Sequence, residues 1–133
     1  MQQGTVTAEQ ARLIFGELPC DISFADQNDV LQYWSGATYD TCDVRFIGRD
    51  LRECHPQESL ATLERILAEF KAGQRTVAEG WQTEDGHCKF TRYTAVRDEA
   101  GTYRGILEVN IDLTRFRALE GTQAIPGWDT PTA

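Results

Sequence analysis

No stretch of about 18 apolar residues occurs anywhere in the 133-residue chain, so no membrane-spanning helix is spelled. The first residues, Met1-Gln2-Gln3-Gly4-Thr5, lack the basic and apolar segments of a signal peptide, which predicts a cytoplasmic protein. Positive charge is scarce. The 13 Lys and Arg against 21 Asp and Glu leave a formal net charge of −8, which repels phosphate backbones and anionic bilayers and argues against nucleic acid and membrane surfaces as partners. Cys20, Cys42, Cys54 and Cys88 form no C-x-x-C pair, so neither a zinc ribbon nor a thioredoxin-type site is written, and unpaired thiols are the expectation for a reducing compartment. Also missing are a Gly-rich phosphate loop, a nucleophile elbow and an H-E-x-x-H helix. Cys54 beside His55 makes no dyad by adjacency, since neighbouring side chains diverge. An enzyme is not predicted.

What the sequence does hold is an apolar fraction of 41% with aromatic residues spread throughout, enough for one folded domain with a single core. Residues 76–82, 87–97 and 103–113 read as three antiparallel strands, joined by the polar, Gly-terminated turns 83–86 and 98–101. Closing over 98–101 sets Tyr93 opposite Leu107 or Glu108, and Ala95 opposite Gly105 or Ile106. A slip of one residue exchanges the two faces, and both registers stay open. Thr7-Ala8-Glu9-Gln10 has the form of a capping box and opens a helix that carries Ala11, Ile14, Phe15 and Leu18 on one face until Pro19 stops it. A helix this short must dock, either on its own sheet or on a second copy of the chain. Residues 20–25 and 30–34 form a hairpin about the turn 26–29, and 35–52 reads as short helical turns and loop. Pro56 starts the main helix with His55 as its N-cap, Leu60, Leu63, Ile66, Leu67 and Phe70 form its apolar stripe, and Lys71 and Gly73 end it. Residues 115–120 begin a further helix, and 125–133 read as a tail.

In that order of elements, Ile47-Gly48-Arg49 followed by His55-Pro56, and Asp112-Leu113-Thr114 at the end of the last strand, resemble the PAS family. The resemblance implies an α+β fold: a five-stranded antiparallel sheet flanked by one main helix and short helices, plus an N-terminal helix. It covers about residues 7–118, with 1–6 as an N-terminal tail and 119–133 as a C-terminal tail or linker. Leu18-Pro19-Cys20-Asp21-Ile22-Ser23-Phe24, Cys54-His55-Pro56, Ala78-Glu79-Gly80-Trp81, Arg92-Tyr93, Ala95-Val96-Arg97-Asp98 and Leu107-Glu108-Val109 are similar, more narrowly, to the PAS domain found attached to hemerythrin-like domains in bacterial and archaeal proteins. This sequence departs from that pattern by containing no iron-binding helical partner and by having Gly80 where an aromatic residue is expected.

The family resemblance implies a sensor in which a small molecule, cofactor or partner occupies the space between sheet and main helix. By analogy with flavin-binding relatives Asn110 faces inward, and alternation turns Ile106 and Glu108 the same way. Thr91, Tyr93 and Ala95 then supply the middle strand's share, and Glu79 and Trp81 continue the wall on the first strand. A buried carboxylate needs a partner, so Tyr93, His55 or the ligand must pair with Glu79 or Glu108. The expected ligand is a small polar or cationic molecule held by Glu108, Asn110 and Tyr93, with Trp34, Trp81 and Phe70 as apolar walls. In the other register both acids face water or a dimer mate, and Leu107, Val109 and Ile111 line the core.

Light-sensing relatives carry a reactive Cys in a pattern like N-C-R-F-L-Q. Leu51 stands at that position in Asp50-Leu51-Arg52-Glu53-Cys54, which argues against a covalent flavin photocycle. His55 as an axial ligand defines an alternative, a b-type haem gas or redox sensor, weighed behind the reading of a structural His-Pro helix start. His87, in a turn, is expected to be solvated. A third alternative is a ligand-free dimerisation scaffold. Self-association as a homodimer through the N-terminal helix and the outer face of the sheet is expected, with output through a signalling partner protein or as one piece of a larger product.

Overall fold

The computed structural model describes residues 3–36 and 43–128. Helix α1 (Ala8–Glu17) is followed by strands β1 (Asp21–Asp26) and β2 (Leu31–Trp34), then by single 3-10 turns at Val44–Phe46, Leu51–Cys54 and Gln57–Ser59. Helix α2 (Leu60–Lys71) leads into strands β3 (Val77–Glu84), β4 (His87–Arg97) and β5 (Tyr103–Asp112), and a last 3-10 turn covers Phe116–Ala118. The five strands form one antiparallel sheet in the order β2-β1-β5-β4-β3, so β5 comes back to lie between β1 and β4.

Local chemistry accounts for most of these boundaries. Thr7 and Gln10 make the reciprocal capping box that starts α1. At the end of α2, Gly73 takes a positive φ of 75°, its N–H donates to the Phe70 carbonyl, and the N–H of Gln74 donates to Glu69, which closes the helix in a Schellman turn. The β3–β4 hairpin is tighter than the turn 83–86 predicts. Strand β3 runs on to Glu84, and only Asp85 and Gly86, with φ of 52° and 80°, make the turn, the left-handed pair that suits a twisted two-residue hairpin. Between β1 and β5, Gly105 at φ 150° lies so close to its neighbour that a Cβ would sit 2.2 Å from the Ala25 carbonyl oxygen.

The core lies on one face of the sheet, called here the inner face. Leu63, Leu67 and Phe70 of α2 pack with Leu51 onto Ala25, Ala95 and Ile106, with Leu60 and Ile66 at the margin. Small strand side chains let the helix approach closely, and the apolar stripe read from the sequence is the stripe that is buried. A smaller cluster joins Leu31, Cys54, Trp34 and Phe46.

Several expectations change. The main helix begins at Leu60 rather than at Pro56, and His55 does not cap it, because its imidazole is committed to the sheet side. The helix read at 115–120 is one 3-10 turn. The short turns read in 35–52 are present at Val44–Phe46 and from Leu51 onward, while 37–42 lie outside the described residues. Cys54 is joined in a disulfide, not a free thiol, whereas Cys20 and Cys88 are free. No local spacing in the sequence signals that bond.

The motif residues have backbone tasks. Gly48, at φ 87°, donates to the Leu31 carbonyl, and Arg49 accepts from Leu31, which ties the Ile47-Gly48-Arg49 segment to β2. Asp112 accepts from the Thr114 N–H, and Thr114 accepts from the Cys88 N–H, fixing the chain where it leaves β5.

Candidate functional site

Pairing settles which register holds. Tyr93 lies opposite Glu108, Ala95 opposite Ile106, and Thr91 opposite Asn110. Residues directly opposite in an antiparallel pair share a face, so Ser23 and Ala25 of β1, Thr91, Tyr93 and Ala95 of β4, and Ile106, Glu108 and Asn110 of β5 all belong to the inner face. Leu107, Val109 and Ile111 lie on the other side.

The two acids that the sequence grouped together are split. Closing the hairpin over Asp85-Gly86 pairs Glu79 with Arg92 and Trp81 with Phe90, which puts both on the outer face. Glu79 is exposed and Trp81 is 71% exposed; neither lines the cavity with His55 and Glu108, and Glu79 borders a separate open groove beside Tyr93. Ala78 and Gly80 occupy the inner positions instead, opposite Tyr93 and Thr91.

Glu108 is 8% exposed and has a partner on each side. Its Oε2 accepts from the Asn110 amide at 3.0 Å, and the Asn110 carbonyl oxygen accepts from the Thr91 hydroxyl at 2.7 Å. Its Oε1 lies 3.5 Å from His55 Nε2, and the Tyr93 hydroxyl also hydrogen-bonds the carboxylate. Burial is the strongest single influence on this carboxyl and pushes its pKa up. The hydrogen bonds from His55 and Tyr93, the charge of the imidazole and the Asn110 amide together outweigh it, so the carboxyl ionises below its ordinary value.

The proton inventory of His55 follows from its partners. Nδ1 lies 3.0 Å from the Leu51 carbonyl oxygen, which only accepts, so Nδ1 carries a proton and donates it. Nε2 lies 3.2 Å from the Tyr93 hydroxyl. When Nε2 is bare it accepts from Tyr93; when protonated it donates to Tyr93 or Glu108 and leaves the hydroxyl proton for the carboxylate. A single proton on His55 therefore decides which way the Tyr93 hydroxyl points.

Around this cluster lies a cavity of about 20 Å³, lined by Ser23, Ala25, Leu31, Leu51, Cys54, His55, Tyr93, Ile106 and Glu108. That is the volume of about one water. Of the residues the sequence nominates, His55, Tyr93 and Glu108 line it and Asn110 stands behind Glu108. Phe70, 0% exposed, belongs to the adjoining apolar core, and Trp34 packs on Leu31 and Cys54 with its indole N–H buried and without a hydrogen-bond partner among the described residues. Ser23 was not nominated, although strand alternation from Ala25 places it there.

Haem does not fit. His55 has both nitrogens engaged, and the space at its Nε2 is far smaller than a porphyrin. At the flavin adduct position Leu51 is a buried core residue without a thiol. Among the described residues no group of three or more His, Cys, Asp or Glu is placed to hold a metal ion, and no helix is long and apolar enough to cross a membrane.

A second polar group lies at the far side of the core. Asp29, nearly buried in the β1–β2 turn at a φ of 65°, takes Lys71 Nζ at 2.8 Å and Arg52 at 3.1 Å on one oxygen. Arg52 also pairs with Asp50 and with Glu64 of α2. This clamp fixes the turn carrying Leu51 and Cys54, and with it the approach to His55. Tyr103 nearby is pushed up to about 12, by burial first and then by the Asp29 carboxylate.

The family model described as "PAS domain" matches residues 12–114. Among solved structures, a C-terminal domain from Streptococcus mutans is 30% identical, with a TM-score of 0.81, and the match covers 90% of this chain and 95% of that one. The PAS domain of BvgS from Bordetella pertussis is 20% identical, with a TM-score of 0.53 and coverage of 82% and 86%. A sensory box sensor histidine kinase from Vibrio cholerae is 13% identical, with a TM-score of 0.54 and coverage of 78% and 92%. The last two likenesses concern the fold. No curated protein matches the chain.

Proposed function

The chain belongs to the PAS domain family, and from that membership we propose that it is a sensory signalling module that binds a small polar molecule against the inner face of its sheet. The observation that carries this reading is the hydrogen-bonded chain Thr91–Asn110–Glu108–Tyr93–His55, part-buried around the buried Glu108 carboxylate and held between the sheet and the turn leading to α2. A carboxylate in the core costs stability unless it is fully partnered, and apolar residues of equal volume would serve packing alone at least as well. Its retention fits a site whose hydrogen bonds are exchanged with those of a ligand.

Output passes through a homodimer or a partner protein. Helix α1 supports this part of the reading: none of its residues is buried, and Leu13, Ile14 and Phe15 stay exposed apart from an edge-to-face contact of Phe15 with Tyr33. Kinship with the hemerythrin-associated subtype and cytoplasmic residence belong to the same proposal. The Cys54 disulfide weighs against the second, because such bonds persist in oxidising compartments. One observation favours the ligand-free scaffold instead: the cavity at Glu108 holds about 20 Å³, so a ligand must open it.

The test is an absorption spectrum of the purified protein, followed by mass spectrometry of what denaturation releases. An extractable polar molecule supports the sensor. A protein that carries and binds none while dimerising tightly supports the scaffold.

A further inference from the structure

The ring of Tyr93 stands between two spaces. On its β5 side is the narrow cavity of about 20 Å³ with His55 and Glu108. On its β3 side is an open groove of about 160 Å³ between Ile66 of α2 and the strand residues Ala78, Glu79, Gly80 and Thr91. Tyr93 lines both. The groove reaches solvent because β3 is the edge strand and because Gly80 carries no side chain: a Cβ built there meets nothing within 4 Å. The backbone at Gly80 is not in the left-handed region, so no conformational need explains the glycine. The polar groups are continuous across the divide, since Thr91 on the groove side donates to Asn110, and Asn110 donates to Glu108 on the cavity side.

We propose that this groove is the mouth of the ligand site and that Tyr93 is its gate. The inference rests on the sensor reading given above. Moving the phenol aside to another rotamer joins groove and cavity, and the incoming molecule takes the place of the Tyr93 hydroxyl at Glu108. An ionised carboxylate only accepts, so the ligand presents a donor there, an ammonium, amide N–H or hydroxyl. Behind the donor it carries a compact apolar body that fits Ile66 and Ala78. The groove holds the volume of about five waters, which limits the body to a single small ring or short chain. Carboxylates and phosphates are excluded by the charge of Glu108. Gly80 sets the size limit, and the Tyr93 hydroxyl sets the cost of opening.

The test uses the whole chain, with benzylamine, benzyl alcohol and toluene as probes that share one ring and differ in the donor, read by amide NMR at Thr91 and at the Asn110 side chain. Benzylamine and benzyl alcohol shift these resonances and toluene does not. Gly80→Leu fills the groove without strain and raises the apparent Kd at least tenfold, Gly80→Ala does so less, and both keep a dispersed spectrum. Tyr93→Phe removes the latch and lowers Kd several-fold. Wild-type affinity in Gly80→Leu overturns the groove while leaving the sensor reading intact. Weaker binding in Tyr93→Phe overturns the gate and makes the hydroxyl an ordinary ligand contact. No shift by either donor probe, in wild type and in Tyr93→Phe, overturns the ligand class; the sensor reading is then judged separately by what denaturation releases.

Discussion

At the α2 end of the inner face, Ala25, Ala95 and Ile106 lie under Leu63, Leu67 and Phe70, all apolar side chains. Two residues along the same strands Ser23, Tyr93 and Glu108 stand in the corresponding places, and beyond them Thr91 and Asn110. The strands and the pairing are continuous, yet one end is built like an ordinary core and the other around a buried carboxylate held by three side chains. The first end stabilises the domain. The second contributes little net stability for the hydrogen bonds it makes, because desolvation offsets most of their gain, and that imbalance is what the proposed binding role would account for.

The contrast is tested most severely at Phe70. Phe70→Ala empties a fully buried position and removes about 3–5 kcal/mol, a large part of the ~5–15 kcal/mol of a typical domain. A loss of unfolding free energy below about 1 kcal/mol in urea titration means that the apolar end is not the stabilising core.

Next comes the clamp that joins the ends. Asp29→Asn leaves Lys71 and Arg52 without their shared carboxylate. Because both cations are partly exposed, the expected loss is about 1–2 kcal/mol, smaller in high salt. An equal loss at low and high salt contradicts an electrostatic clamp.

Glu108→Gln is expected to cost about 1 kcal/mol at neutral pH, as a charge-assisted hydrogen-bond set becomes a neutral one. The sign of its pH dependence is fixed. The folded carboxyl ionises below its ordinary value of 4.5, so its stabilisation is present above that value and is lost as pH falls through the folded pKa. Denaturation curves of wild type and Glu108→Gln should therefore converge in acid and differ at pH 7. Divergence as pH falls contradicts the lowered pKa.

The smallest effect is expected at Trp81, which the structure puts outside the site. Trp81→Ser should change stability by no more than about 0.5 kcal/mol. A larger loss means that this side chain is covered.

How much of this was legible in the sequence depends on the range of the interaction that decides it. The capping box at Thr7, the stripe on α2 and the Gly73 stop are local patterns, and each is present in the structure. The turn at 98–101 narrowed Tyr93 to two partners, and burial of Glu108 settled which one. Glu79 and Trp81 differ from the expected continuation of the inner wall and take the outer face, because the Asp85-Gly86 hairpin fixes the pairing of their strand. His55 looked like a helix cap because Pro56 follows it. Its actual partners, Tyr93 and Glu108, come from the far strands, those of Asp29 come from α2 and the turn at Leu51–Cys54, and no neighbouring residue signals either. The size of the cavity was not legible at all, since it depends on how Tyr93, Leu51 and Cys54 close together.

Native mass spectrometry of freshly purified wild-type and Glu108→Gln proteins bears most directly on the polar end as a binding site. A surplus mass on the wild type that is lost from the folded Glu108→Gln protein is the predicted result. A bare wild type, or the same surplus on both proteins, contradicts it and leaves Glu108 as a structural residue of the fold.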